Sequence, residues 1–102
     1  MPLYSAEIEW TIDAGRYSYG TNIYTIQDGM VMQIDISQSM SGKSYLTFQN
    51  RNTNTSLRFT QTETTDGWHG TVTFAGMVTT IYSFGIENAS NSTITYSGTY
   101  SL

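Results

Sequence analysis

Apolar and polar residues alternate along the last third of the chain, and this alternation most constrains the fold. In residues 80–88 and 92–102 the apolar side chains fall mainly on even positions, and Ser and Thr fill the odd positions from 93 to 101. A repeat of two residues places successive side chains on opposite faces of a β-strand. Together with residues 70–76, this region predicts three strands, each with one buried face.

The rest of the chain also has the pattern of strands separated by turns. Residues 4–12 alternate clearly, Gly20 interrupts residues 17–26, and Asp28-Gly29 is typical of a tight β-hairpin turn. The predicted strands are residues 4–12, 17–26, 30–36, 44–49, 57–61, 70–76, 80–88 and 92–100. We therefore predict a two-sheet antiparallel β-sandwich of about eight strands with jelly-roll or Greek-key connections, formed by residues 1–102 as one domain.

Composition narrows the class of protein. Charged residues make up only 12% of the chain, against roughly 25% on average, so hydroxyl and amide side chains must supply the polar surface. Such a surface is more common in secreted modules, and we expect a secreted or cell-surface location. The absence of cysteine excludes disulfides and a thiolate nucleophile. The four Lys and Arg residues are too sparse to follow a phosphate backbone, so we expect no nucleic-acid partner.

Several segments together resemble a known class of protein. These are the turn Gln27-Asp28-Gly29, residues 46–52, 70–74 and 84–88, and the ending Ser97-Gly98-Thr99-Tyr100. Their order resembles that of small secreted β-sandwich modules of Gram-positive bacteria, namely pre-peptidase C-terminal domains and jelly-roll carbohydrate-binding modules. The resemblance implies a non-catalytic domain that serves adhesion, glycan contact or solubility.

Trp68 and His69 form the most site-like cluster, because glycines flank them and Asp66 precedes them. We expect them on a loop, where the indole face could support a sugar ring while Asp66 and His69 bind its hydroxyl groups. The alternative is that Trp68 closes one end of the core and the glycines only form the turn. Aromatic residues mostly serve packing, which favours this second interpretation.

Tyr17 and Tyr19 are the second candidate ligand-binding pair. They lie two residues apart and therefore share one face of a strand. If that face is exposed, the two rings form an aromatic ledge suited to glycan or protein recognition. If it is buried, they are core residues whose hydroxyl groups reach the rim.

Catalysis and metal binding have weaker support in the sequence. His69 is the only histidine, and no motif selects a serine to act with it. Glu7 and Glu9 share a strand face, but acidic residues there usually protect solubility. We predict no enzyme activity and no cofactor. A structural calcium ion is a low-ranked alternative, held by oxygen ligands from Asp28, Asp35, Asp66 or Glu87.

These observations predict an extracellular, non-catalytic binding module whose partner is a glycan or a cell-surface protein. The competing hypothesis is a structural or protein-interaction module without a small-molecule site, self-associating through an edge strand. A membrane-active protein ranks third. No run approaches the ~20 apolar residues of a membrane-spanning helix, and membrane insertion is not expected. The first residues lack the features of a signal peptide, and we favour a leader that has been removed.

Overall fold

The computed structural model describes residues 5–62 and 66–102, and the regular structure in these residues is β-strand throughout. Tyr4, the predicted start of the first strand, lies outside the described residues. The nine strands are β1 (Ser5–Ile12), β2 (Tyr17–Tyr19), β3 (Tyr24–Ile26), β4 (Val31–Gln38), β5 (Ser44–Asn50), β6 (Ser56–Thr62), β7 (Trp68–Thr73), β8 (Thr80–Asn88) and β9 (Ile94–Ser101). The predicted all-β class is therefore confirmed.

The strands form two antiparallel sheets. The first sheet has the order β1-β9-β4-β7, and the second has the order β2-β8-β5-β6, with β3 also paired to β8. The predicted segment 17–26 is divided into β2 and β3, which explains nine strands instead of eight. If β2 and β3 are counted as one interrupted strand, this order is that of a jelly roll. The first and last strands pair along their whole length, from Ser5 opposite Ser101 to Ile12 opposite Ile94.

The hairpin predicted at Asp28-Gly29 is wrong, although the turn itself is present. The Met30 amide donates to the Gln27 carbonyl oxygen at 3.1 Å, and Gly29 has a φ of +88°. However, β3 lies in the second sheet and β4 in the first. The turn therefore carries the chain from one sheet to the other. Local turn chemistry determines how sharply a chain bends, but the pairing of the flanking strands depends on distant residues.

Aromatic rings fill the core between the sheets. Phe48 lies at its centre, with its ring centroid 5.2 Å from that of Phe74 and 5.7 Å from that of Phe84. At one end, the fully buried Asn88 donates from its amide nitrogen to the carbonyl oxygens of Ile12 and Ser92. Buried polar groups are tolerated when they are hydrogen-bonded. Asn88 thus ties the end of β1 to the turn before β9.

Strand alternation leaves each sheet with one outer surface. We call the outer surface of the first sheet the hydroxyl face, because Ser and Thr side chains of β9 dominate it. Its residues are Thr95, Ser97, Thr99 and Ser101 of β9, Glu7 and Glu9 of β1, Asp35 of β4 and His69 of β7. We call that of the second sheet the tyrosine face, because it carries Tyr17 and Tyr19 of β2 and Tyr45 of β5, with Thr47, Arg58, Gly85 and Glu87. Of the predicted site residues, His69 lies on the hydroxyl face, and Tyr17 and Tyr19 lie on the tyrosine face.

Candidate functional site

Trp68 belongs to the core. It opens β7 instead of lying on the predicted loop, and only 7% of its surface is exposed. Its ring stacks on Tyr96 with 6.3 Å between centroids and 28° between planes. The indole Nε1 is buried without a hydrogen-bond partner among the described residues. The ring therefore has no open face for a sugar in this structure. Its position agrees with the alternative interpretation, in which Trp68 packs in the core.

His69 points to the hydroxyl face, because neighbouring residues on a strand have opposite directions. Its Nδ1 lies 2.5 Å from Oδ1 of Asp35, and its Nε2 lies 2.6 Å from the carbonyl oxygen of Asp66. The hydrogen bond to Asp35, followed by that to Asp66, raises the pKa of His69 above its usual 6.5. Both ring nitrogens face acceptors, so the imidazole can take a proton from a nucleophile only by losing one of these contacts.

A shallow depression of about 400 Å³ lies beside His69, and its other polar residues include Ser5, Gln33, Asp35, Thr99 and Ser101. The structure thus brings together His69 and Asp66 but separates both from the Trp68 ring. Hydroxyl, amide and carboxylate groups line this depression without an exposed aromatic ring.

Tyr17 and Tyr19 occupy the tyrosine face together, as the sequence predicts. Tyr17 is 66% exposed, and the two rings meet edge to face with 5.5 Å between centroids. In the strand register, Tyr17 lies opposite Glu87 and Tyr19 lies opposite Gly85. Because Phe84 and Ile86 are buried in the core, Gly85 and Glu87 must point outward. The aromatic ledge therefore lies on an outer surface.

Gly85 lets the Tyr19 ring lie against the sheet. A Cβ atom built on Gly85 would lie 2.6 Å from Cε1 of Tyr19 and 2.7 Å from the carbonyl oxygen of Ser18. With no side chain there, the Tyr19 ring crosses β8, and its hydroxyl group donates to Oγ of Ser56 in β6 at 2.9 Å. The ring is therefore held at both ends by contacts with other strands.

Arg58 and Glu87 form an ion pair on the same face. The guanidinium Nε and Nη2 donate to the two carboxylate oxygens of Glu87 at 2.8 and 2.7 Å. The guanidinium carbon also lies 4.4 Å from the centre of the Tyr45 ring. The hydrogen bond to Glu87 raises the pKa of Arg58. A bidentate pair of this kind fixes the direction of both side chains.

These groups surround a groove of about 610 Å³, which we call the tyrosine groove and define by Tyr17, Tyr19, Thr47, Leu57, Arg58 and Glu87. Leu57 is 42% exposed, so the groove has apolar surface on both sides. The Thr47 hydroxyl is buried beneath it without a hydrogen-bond partner among the described residues. An amphipathic lining with a few fixed polar groups is typical of ligand sites.

The predicted calcium ligands do not converge. Within residues 5–62 and 66–102, no group of three His, Cys, Asp or Glu residues is placed to hold a metal ion. Asp28 accepts a hydrogen bond from the Gly76 amide, while Asp35 and Glu87 are paired as described above. None of the described segments is a helix with the length and apolar character needed to cross a membrane.

Comparison with family models, with curated proteins and with solved structures finds no match to this chain. The resemblance to pre-peptidase C-terminal domains and carbohydrate-binding modules stays a prediction. Sequence reasoning did not group Thr47, Leu57, Arg58 and Glu87 into one site, because they come together only through strand pairing. One local signal was available, namely a glycine at position 85 in a strand that is otherwise rich in large side chains.

Proposed function

We propose that this protein is an extracellular, non-catalytic binding domain whose ligand is a neutral glycan bound in the tyrosine groove. The observation that carries the proposal is the exposed ring of Tyr17 beside the anchored ring of Tyr19, at the wall of a groove with polar groups. A sugar presents both apolar C–H surface and hydroxyl groups. Aromatic faces and fixed hydrogen-bonding groups match these two features.

The charges in the groove favour a neutral ligand. Arg58 is the only cation among the described residues that line it, and two of its three guanidinium nitrogens already donate to Glu87. The Glu87 carboxylate in the same groove would also repel an anionic glycan. The low content of charged residues supports a location outside the cell.

A glycan array followed by calorimetric titration tests the proposal. We expect Tyr17→Ala to lower the affinity for the sugar found on the array by about tenfold, equivalent to roughly 1.4 kcal/mol. Because Tyr17 is exposed, its replacement leaves the fold intact. Thr99→Ala on the hydroxyl face is the matched control and should bind normally. An array without any bound sugar, or full affinity in Tyr17→Ala, contradicts the proposal.

A second candidate is a protein-interaction module. The exposed Leu57 lies on β6, which is an edge strand of the second sheet. An edge strand offers unpaired backbone groups to another chain, and exposed apolar side chains strengthen such contacts. Light scattering across a concentration series distinguishes this function. Self-association that Leu57→Lys abolishes supports it, whereas a monomer at every concentration argues against pairing between copies.

A further inference from the structure

Tyr19 lies between two depressions on the surface. One is the tyrosine groove, and the other is a cleft of about 280 Å³ at the side of the sandwich, which we call the lateral cleft and define by Glu7, Trp10, Tyr19, Gly20, Asn22 and Tyr100. The cleft opens between β1, an edge strand of the first sheet, and β2, an edge strand of the second. A ligand that leaves the groove over Tyr19 therefore enters the cleft.

The lateral cleft repeats the chemistry of the groove. Trp10 is half-buried and is held by Phe84, with 6.1 Å between the ring centroids. The bare backbone of Gly20 lies beside its ring, since a Cβ atom there would be 3.7 Å from Cζ2 of Trp10. Asn22 is exposed, and its amide nitrogen donates to the Tyr24 hydroxyl at 3.3 Å. An aromatic ring and an amide group thus face one space.

We infer that the ligand is a linear oligosaccharide chain that crosses Tyr19 and occupies both the tyrosine groove and the lateral cleft. This inference rests on the proposed function and adds the length and path of the ligand. Tyr17, Tyr19 and Asn22 follow one another along β2 and the loop after it, so a chain running beside this segment contacts them in order. Glu7 lines the cleft and no cation does so among the described residues, which disfavours an anionic chain along this path.

The first test measures affinity against chain length. The probes are neutral cello-, xylo- and chito-oligosaccharides, each from disaccharide to hexasaccharide, titrated by calorimetry. We expect at least one series to bind about tenfold more tightly as the chain grows, with a plateau once both depressions are filled. Asn22→Ala should remove this gain and leave the disaccharide affinity unchanged. Asn91→Ala, an exposed asparagine that lines neither depression, should keep the gain.

The second test uses the two tryptophans. In a Trp68→Phe variant, Trp10 is the only tryptophan. Long oligosaccharides should protect its fluorescence from acrylamide quenching, whereas disaccharides held in the groove should not. The calorimetry uses the unmodified chain and does not depend on this variant. If short and long chains bind equally and Trp10 is never protected, the inference fails and the proposed function stands. If no oligosaccharide binds, both fail.

Discussion

The two outer faces of the sandwich carry equivalent rows of residues with different side chains. On the hydroxyl face, one row across the sheet consists of Glu7, Thr99, Asp35 and His69. On the tyrosine face, the matching row consists of Tyr19, Gly85, Thr47 and Arg58. The first row has polar side chains only, and all four are exposed to solvent. The second row has large side chains at its two ends, Tyr19 and Arg58, with the small residues Gly85 and Thr47 between them, and this arrangement produces a groove.

The hydrogen bonds that these rows make also differ in how far they reach across the sheet. Asp35 and His69 are neighbours in adjacent strands, and their hydrogen bond crosses one strand pair. Tyr19 instead begins in β2 and reaches Ser56 in β6, so its contact spans the sheet. Binding sites need groups that are fixed in place before the ligand arrives. By this measure the tyrosine face suits the proposed ligand better than the hydroxyl face does.

Among the substitutions that test this difference between the two faces, we expect Gly85→Ala to have the largest effect on stability. The added methyl group would overlap both the Tyr19 ring and the Ser18 carbonyl oxygen, and backbone atoms cannot easily move away. We expect a loss of about 1–3 kcal/mol in the free energy of unfolding, together with weaker ligand binding, because Tyr19 leaves its position. Urea unfolding followed by circular dichroism measures the first effect.

Ser97→Ala is the control on the hydroxyl face. Ser97 is exposed, and a surface substitution of this kind changes stability by less than about 0.5 kcal/mol. Equal stability of Gly85→Ala and Ser97→Ala would mean that Tyr19 does not lie against the sheet. The distinction between the two faces would then be lost.

A smaller effect is expected for Arg58→Gln. This substitution removes the bidentate pair with Glu87 and the contact with the Tyr45 ring. We expect a lower urea midpoint at low salt and a smaller difference from the unmodified chain in 1 M salt, since salt screens exposed charges. Arg51→Gln is the matched control, because Arg51 is exposed and its guanidinium donates to Oε1 of Gln49 at 3.3 Å, with no carboxylate partner among the described residues. If Arg58→Gln and Arg51→Gln have the same urea midpoints at both salt concentrations, the Arg58–Glu87 ion pair does not organise the groove.

The sequence predicts which residues form strands better than it predicts which strands pair with each other. The alternation in residues 80–88 and 92–102 reflects a local property, namely which side of a strand is buried, and the strands lie where it places them. The shared face of Tyr17 and Tyr19 follows from the same rule. In contrast, Trp68 is ambiguous, because an aromatic residue beside glycine is compatible with both a surface loop and a core position. The contribution of Arg58 to the groove depends on pairings across β8 and β5, and no local pattern encodes them.

The smallest effect concerns the hydroxyl face, where the His69–Asp35 contact should respond to pH. The hydrogen bond to Asp35 favours the charged imidazole and raises the pKa of His69 in the folded chain. The resulting stability is fully present below the unfolded pKa of about 6.5, and it is lost as the pH rises through the higher folded value. Both side chains are well exposed, so screening by solvent limits the gain to about 0.5 kcal/mol or less.

Because His69 is the only histidine, an NMR titration reports its pKa without assignment of other imidazoles. We expect a midpoint above 6.5 in the unmodified chain and a return toward 6.5 in Asp35→Asn. That variant should also lose most of the stability difference between mildly acidic and mildly basic pH. A midpoint at 6.5 in both chains would show that the His69–Asp35 contact does not form in solution, and it would sharpen the contrast with the anchored Tyr19 on the opposite side.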